Sequence, residues 1–148
     1  MATIKGLTVS IGADTKEFIK EMNKVNKDIR NTNKQVDVLN KSLQLEFDAG
    51  RFSEAQKIAQ EVITKTEDKA KALREELAFL DKKGNVNTDD YAKLQRELVL
   101  TESNVVLLKN KLEEIRNLKM DRVSEQIQNI GSGITKAGNT LKPFSIAA

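Results

Sequence analysis

At 148 residues the chain is long enough for one domain, yet only 4% of it is aromatic and 32% is charged. Such a composition supplies narrow Leu/Ile/Val seams between helices rather than a deep globular core. Cysteine and histidine are absent, which excludes the common zinc and transition-metal sites and the Ser-His and Cys-His catalytic arrangements; the net charge is +3, with basic groups interspersed among acidic ones rather than gathered in a stripe, so no nucleic-acid partner is expected.

The first element is a short strand within residues 1–13. From Ile4 to Ile11 the side chains alternate, with Leu7, Val9 and Ile11 on one face and Thr8 and Ser10 on the other. No second strand is evident, and a lone strand leaves its backbone groups unpaired. It is either a frayed tail or a strand offered to another chain, which makes Leu7, Val9 and Ile11 the candidate partner strand.

Gly12-Ala13 ends the strand, and Asp14 with Glu17 forms a capping box that opens a helix expected over 14–47. Phe18, Met22, Val25, Ile29, Thr32, Val36, Leu39 and Leu43 follow in steps of four and three. Asn-Lys pairs recur every seven residues at 26, 33 and 40, on the polar side. That period is the signature of a helix packed along a coiled-coil seam. Gly50 then reads as the helix end, and Ser53 as the cap of a second helix over 53–82. Its apolar positions are Ala59, Val62, Thr66, Ala70, Leu73, Leu77 and Leu80, with a stutter between 66 and 70. Lys82-Lys83-Gly84-Asn85 closes it.

Thr88-Asp89-Asp90 starts a third helix, expected over 88–130. Its seam is Tyr91, Leu94, Leu98, Thr101, Val105, Leu108, Leu112 and Ile115, and the register stutters between Lys119 and Val123. Glycines at 131, 133 and 138 weaken helix beyond that point, and Pro143 breaks it, so 131–148 is expected to be a flexible lead-out. The short links favour antiparallel neighbours. The expected fold class is therefore all-α: long helices in a helical hairpin or coiled-coil bundle, more than half of the residues helical, preceded by one short N-terminal strand.

Other motifs have bland readings. Ile130-Gly131-Ser132-Gly133-Ile134 lacks the preceding strand and the Gly-Lys-Ser/Thr of a phosphate loop, and reads as a helix terminus or close-packing surface. The acidic pairs Glu75-Glu76, Asp89-Asp90 and Glu113-Glu114 are neighbours in sequence and do not converge on a helix, so they read as solvated faces. Lysines and arginines near glutamates at helical spacing read as ordinary coiled-coil surface, and Thr32 and Thr101 as tolerated polar residues in the seams. A Ser-Lys or paired-carboxylate mechanism remains formally open, but no spacing points to one. The chain reads as non-enzymatic, with no catalytic residues, cofactor, metal or small-molecule substrate. The longest large-aliphatic run, Val105-Val106-Leu107-Leu108, falls far short of the roughly 20 residues of a membrane span, and residues 1–11 hold no apolar signal segment, so a soluble chain made in the cytoplasm is expected.

The opening Ile4-Lys5-Gly6-Leu7-Thr8-Val9-Ser10-Ile11-Gly12-Ala13-Asp14-Thr15 resembles the start of siphophage tail tape measure proteins, as do the Lys/Asn-rich coil and the helix end Leu43-Gln44-Leu45-Glu46-Phe47-Asp48-Ala49-Gly50. The Gly-punctuated stretch from Ile127 to Leu141 is similar to that family's lead-in to its long central region. The resemblance implies a structural protein that sets tail length by templating tail tube polymerisation. It also implies a homo-oligomer with tail tube subunits and tail assembly chaperones as partners, in the host cytoplasm during assembly and then in the interior of the virion tail. A helix of 148 residues reaches only about 220 Å, short for a siphophage tail, so the chain reads as a piece of a longer protein. Two further classes fit the same residues: a general coiled-coil spacer or adaptor, and a small helical assembly chaperone or nucleic-acid-associated protein using the basic last third.

Overall fold

The computed structural model describes residues 2–4 and 6–130, and the side chains among these as far as Leu118. Its elements in chain order are strands β1 (Ala2–Ile4) and β2 (Leu7–Val9), then helices α1 (Thr15–Leu45), α2 (Ala49–Lys82) and α3 (Asp89–Ile130). The expected lead-out at 131–148 lies outside the described residues. The fold is a helical bundle of three long helices behind a small sheet, as the heptad pattern predicts.

The N-terminal segment differs from expectation in one respect. It is a hairpin, not a lone strand: β1 and β2 pair antiparallel, with Ala2 opposite Val9, Thr3 opposite Thr8 and Ile4 opposite Leu7. Only residues 5 and 6 separate the strands, and Gly6 takes φ +86°, a backbone region that other residues enter at a cost. One face of the hairpin carries Ala2, Ile4, Leu7 and Val9, and it lies on the helices, where Ile4 and Val9 are fully buried. The apolar face predicted for a partner chain is therefore covered by the chain's own bundle. Leu7 and Ile11 are half-buried at the margin of the same core.

Caps set where each helix begins. Asp14 sits in extended backbone and accepts the Lys16 N–H, as expected for the α1 cap. The next boundary falls earlier than the sequence suggests. Asp48, not Ser53, caps α2 by accepting the Arg51 N–H at 2.9 Å, and Gly50 lies in the first turn of α2 instead of ending α1. Phe47 and Phe52 explain the choice: they flank the cap at the positions of a hydrophobic staple, their rings 5.5 Å apart. At the other end of α2, the Asn85 N–H reaches the Leu80 carbonyl and the Gly84 N–H that of Asp81, the paired bonds of a Schellman stop. Thr88 caps α3, its hydroxyl accepting the Tyr91 N–H.

The chain runs up α1, back down α2 and up α3, so α2 packs on both other helices while α1 and α3 meet only lightly. Two apolar cores form along this arrangement. The first joins Ile4 and Val9 of the hairpin to Phe18, Met22, Val25, Ala72, Leu73, Leu77, Leu80 and Leu94. The second lies at the α1–α2 turn and holds Val36, Leu43, Phe52, Ala55, Ala59, Val62, Ile63, Leu112 and Ile115. Leu118 and Phe47 pack at the margin of this second core, and the α3 backbone then stays helical for twelve further residues, to Ile130.

Leu73 is fully buried where both strands and all three helices meet in the first core. Leu73→Ala is expected to lower unfolding stability by about 2–5 kcal/mol, whereas Arg74→Ala, one residue away on the exposed side, should change it by less than about 1 kcal/mol. Urea melts of the two variants check this; equal midpoints would put Leu73 outside the core.

Candidate functional site

The residues predicted for the coiled-coil seam are brought together, but in two groups. Phe18, Met22, Val25 and Leu94 lie in the first core, with Tyr91 and Leu98 at its edge. Val36, Leu43, Leu112 and Ile115 lie in the second, with Leu39 and Leu108 at its edge. Ile29 is half-buried and touches both, and Val105 is half-buried outside either cluster. The seams thus serve packing within one chain.

Between the two cores the interior is polar. Lys65 and Lys69 of α2 are almost wholly buried, and their apolar stems fill the space between helices while each ammonium reaches a carboxylate. The Lys65 ammonium lies 2.7 Å from an Asp28 carboxylate oxygen and 3.5 Å from one of Glu61, and donates to the Thr32 hydroxyl at 3.0 Å. The Lys69 ammonium pairs with Glu97 of α3. A third lysine, Lys111 of α3, reaches across to Asp37 and Asn33 of α1. A lysine–carboxylate pair therefore joins each pair of helices, and an exposed Lys109–Glu67 pair adds a second between α2 and α3. Thr32, Thr66 and Thr101 sit among them, each hydroxyl donating to the carbonyl one turn earlier, so the polar side chains at seam positions are satisfied.

A second polar anchor fastens the hairpin. Glu76 of α2 is fully buried; its carboxylate accepts the Gly12 N–H at 3.0 Å and the Thr15 hydroxyl at 2.8 Å. Glu21 of α1 accepts the Ser10 N–H at 2.7 Å. Two helices thus hold the segment that leads from β2 into α1. Gly12 stands at φ +81°, and a Cβ there would sit 3.2 Å from the Phe79 ring, so another residue would strain the backbone and need that ring to give by a few tenths of an ångström. This overturns the reading of Glu75-Glu76 as a solvated face: Glu75 is exposed, but Glu76 is core. It also overturns the reading of Lys65 and Lys69 as ordinary surface.

Glu76 has both its oxygens engaged by the chain, and the interior lysines are matched to carboxylates. Among the described residues no cluster of three or more potential ligands is placed to hold a metal ion, and no helix is long and apolar enough to cross a membrane. Comparison with known proteins gives no match to a family model, to a curated protein sequence or to a solved structure.

Replacing Glu76 by Leu leaves the half-buried Gly12 N–H and Thr15 hydroxyl without their acceptor, a loss of about 1–3 kcal/mol that falls on the hairpin junction. Glu76→Leu is expected to speed amide hydrogen exchange in β2 at least tenfold while the helical circular dichroism at 25 °C stays near that of the parent. Unchanged exchange at Leu7–Val9 would show that the hairpin is held by its apolar face alone.

Proposed function

We propose that this chain is a structural assembly protein, the N-terminal region of a phage tail tape measure, in which the folded three-helix unit serves as a head and α3 leads into the length-setting part. The support is twofold: the resemblance of residues 4–15, 43–50 and 127–141 to that family, and the course of α3. That helix has 42 residues against 31 in α1 and 34 in α2, and it runs on past the α1–α2 turn. A helix leaving a closed head along the bundle axis is what a length-setting molecule needs where it passes from anchored end to rod. Tail tube subunits and tail assembly chaperones are the partners this reading brings with it, and the tail interior is the final location.

The same geometry favours a second reading, a general coiled-coil spacer or adaptor. The predicted seams close on one another within a single chain, so the head has no need of other copies to bury them.

The two readings separate on tail length. With the tape measure reading, inserting heptads after Ile130 in the phage lengthens tails by about 1.5 Å per added residue, the rise of an α-helix, as counted in electron micrographs. Tails that assemble at unchanged length would leave the spacer reading in its place.

A further inference from the structure

The outer face of α3 is apolar and uncovered. Val99, Leu100, Val106 and Leu107 are 62, 60, 58 and 63% exposed. They repeat at intervals of seven, so they form a second stripe on the helix, opposite the seam of Leu94, Thr101, Leu108 and Leu112 that faces α2 and α1. Surface grooves run along both flanks, one of about 600 Å³ bordered by Val106 on the α2 side and one of about 570 Å³ bordered by Leu107 on the α1 side. An apolar stripe between two grooves offers both knobs and holes to another helix.

The charges at its ends say which helix. Arg96 lies just before the stripe and Glu114 beyond it, both exposed, and among the described residues neither has a partner. They are about five turns and roughly 27 Å apart, and five turns of 3.6 residues place them on one line along α3. A second α3 laid antiparallel across this face, with its two-fold axis level with residue 105, sets Arg96 of each copy against Glu114 of the other. The same placement interleaves Leu100 and Leu107 of the two copies, with the small Ser103 near the centre. A parallel copy in register would set arginine on arginine and glutamate on glutamate. The stripe is therefore self-complementary in one direction only, the property of a two-fold interface.

We infer that the outer face of α3 is a homodimerisation surface that binds a second copy of this chain antiparallel, through Val99, Leu100, Val106 and Leu107, with reciprocal Arg96–Glu114 pairs at its ends. The inference goes beyond the tape measure reading and stands or falls without it. The four apolar side chains expose on the order of 400 Å² per copy, a patch of functional size. Doubled, that is below the roughly 1,200 Å² at which stable interfaces begin, so the dimer is weak, formed at about 10–500 µM.

The chain has no cysteine, so one introduced thiol is the only thiol. Sedimentation equilibrium on the full chain up to about 500 µM is expected to show a reversible dimer. Leu100→Glu with Leu107→Glu should weaken it at least tenfold, as should Arg96→Glu alone, and adding Glu114→Arg to the latter should restore it. Under mild oxidation Ser103→Cys should form a covalent dimer, and Ala92→Cys, far from the two-fold axis, should not. Circular dichroism of each variant should match the parent, since the altered side chains lie outside both cores. A monomer throughout the concentration range overturns the inference; so does equal crosslinking at 92 and 103, the mark of a parallel pair, or a charge swap that fails to restore association.

Discussion

Alanines at 55, 59, 70 and 72 give α2 a buried surface of small side chains among its larger ones, and this lets α1 and α3 approach it from two sides. A chain so poor in aromatic residues has no other way to exclude water: its core has to be thin, and a thin core needs helices drawn close. α2 is therefore the element on which the bundle depends. Its two working faces together span more of the helix than a coiled-coil seam, which is why a stutter between Thr66 and Ala70 does it no harm.

Placing a polar layer in the middle of that helix has a different consequence. Buried lysine–carboxylate pairs contribute little net stability, because desolvation offsets most of the attraction. What they do is penalise wrong arrangements. The apolar heptads of α1 and α3 tolerate a slip of one repeat with modest loss, but such a slip would move Asp28 or Glu97 about 10 Å from its lysine and strand a buried ammonium, and would part Asp37 from the half-buried Lys111. The two apolar cores hold the helices together, and the lysines between them fix the register.

Much of this was legible in the sequence, and the rest was hidden for identifiable reasons. The three-four spacing of Phe18 to Leu43 and of Tyr91 to Ile115 marks faces that are in fact buried, because periodicity reports which side of a helix meets another whatever its partner. It does not report whether that partner is the same chain, so seams that also suit an oligomer close here on one another. The hairpin was missed because Ala2-Thr3-Ile4 is only three residues long and Lys5-Gly6 is a weak turn signal beside Asn-Gly. Glu76 was missed for a plainer reason: a glutamate beside another glutamate on a helix is usually solvated, and the backbone N–H that draws it inward belongs to Gly12, 64 residues earlier. The α2 start was misplaced because Ser53-Glu54-Ala55-Gln56 and Asp48 are both competent caps, and the Phe47–Phe52 contact decides between them.

The number of passes in the bundle is odd. The hairpin and the start of α1 lie beside the end of α2, so α3 sets out from the same level and finishes at the opposite end, roughly 45–50 Å away by the length of α1. A hairpin of two helices, or a bundle of four, would bring the chain back to where it entered. With three, the chain enters the described bundle at one end and α3 points out of the other. Whatever lies on either side of it, pull applied along the chain passes through α2 in shear, the direction in which interlocked helices and a row of interior ion pairs yield least readily.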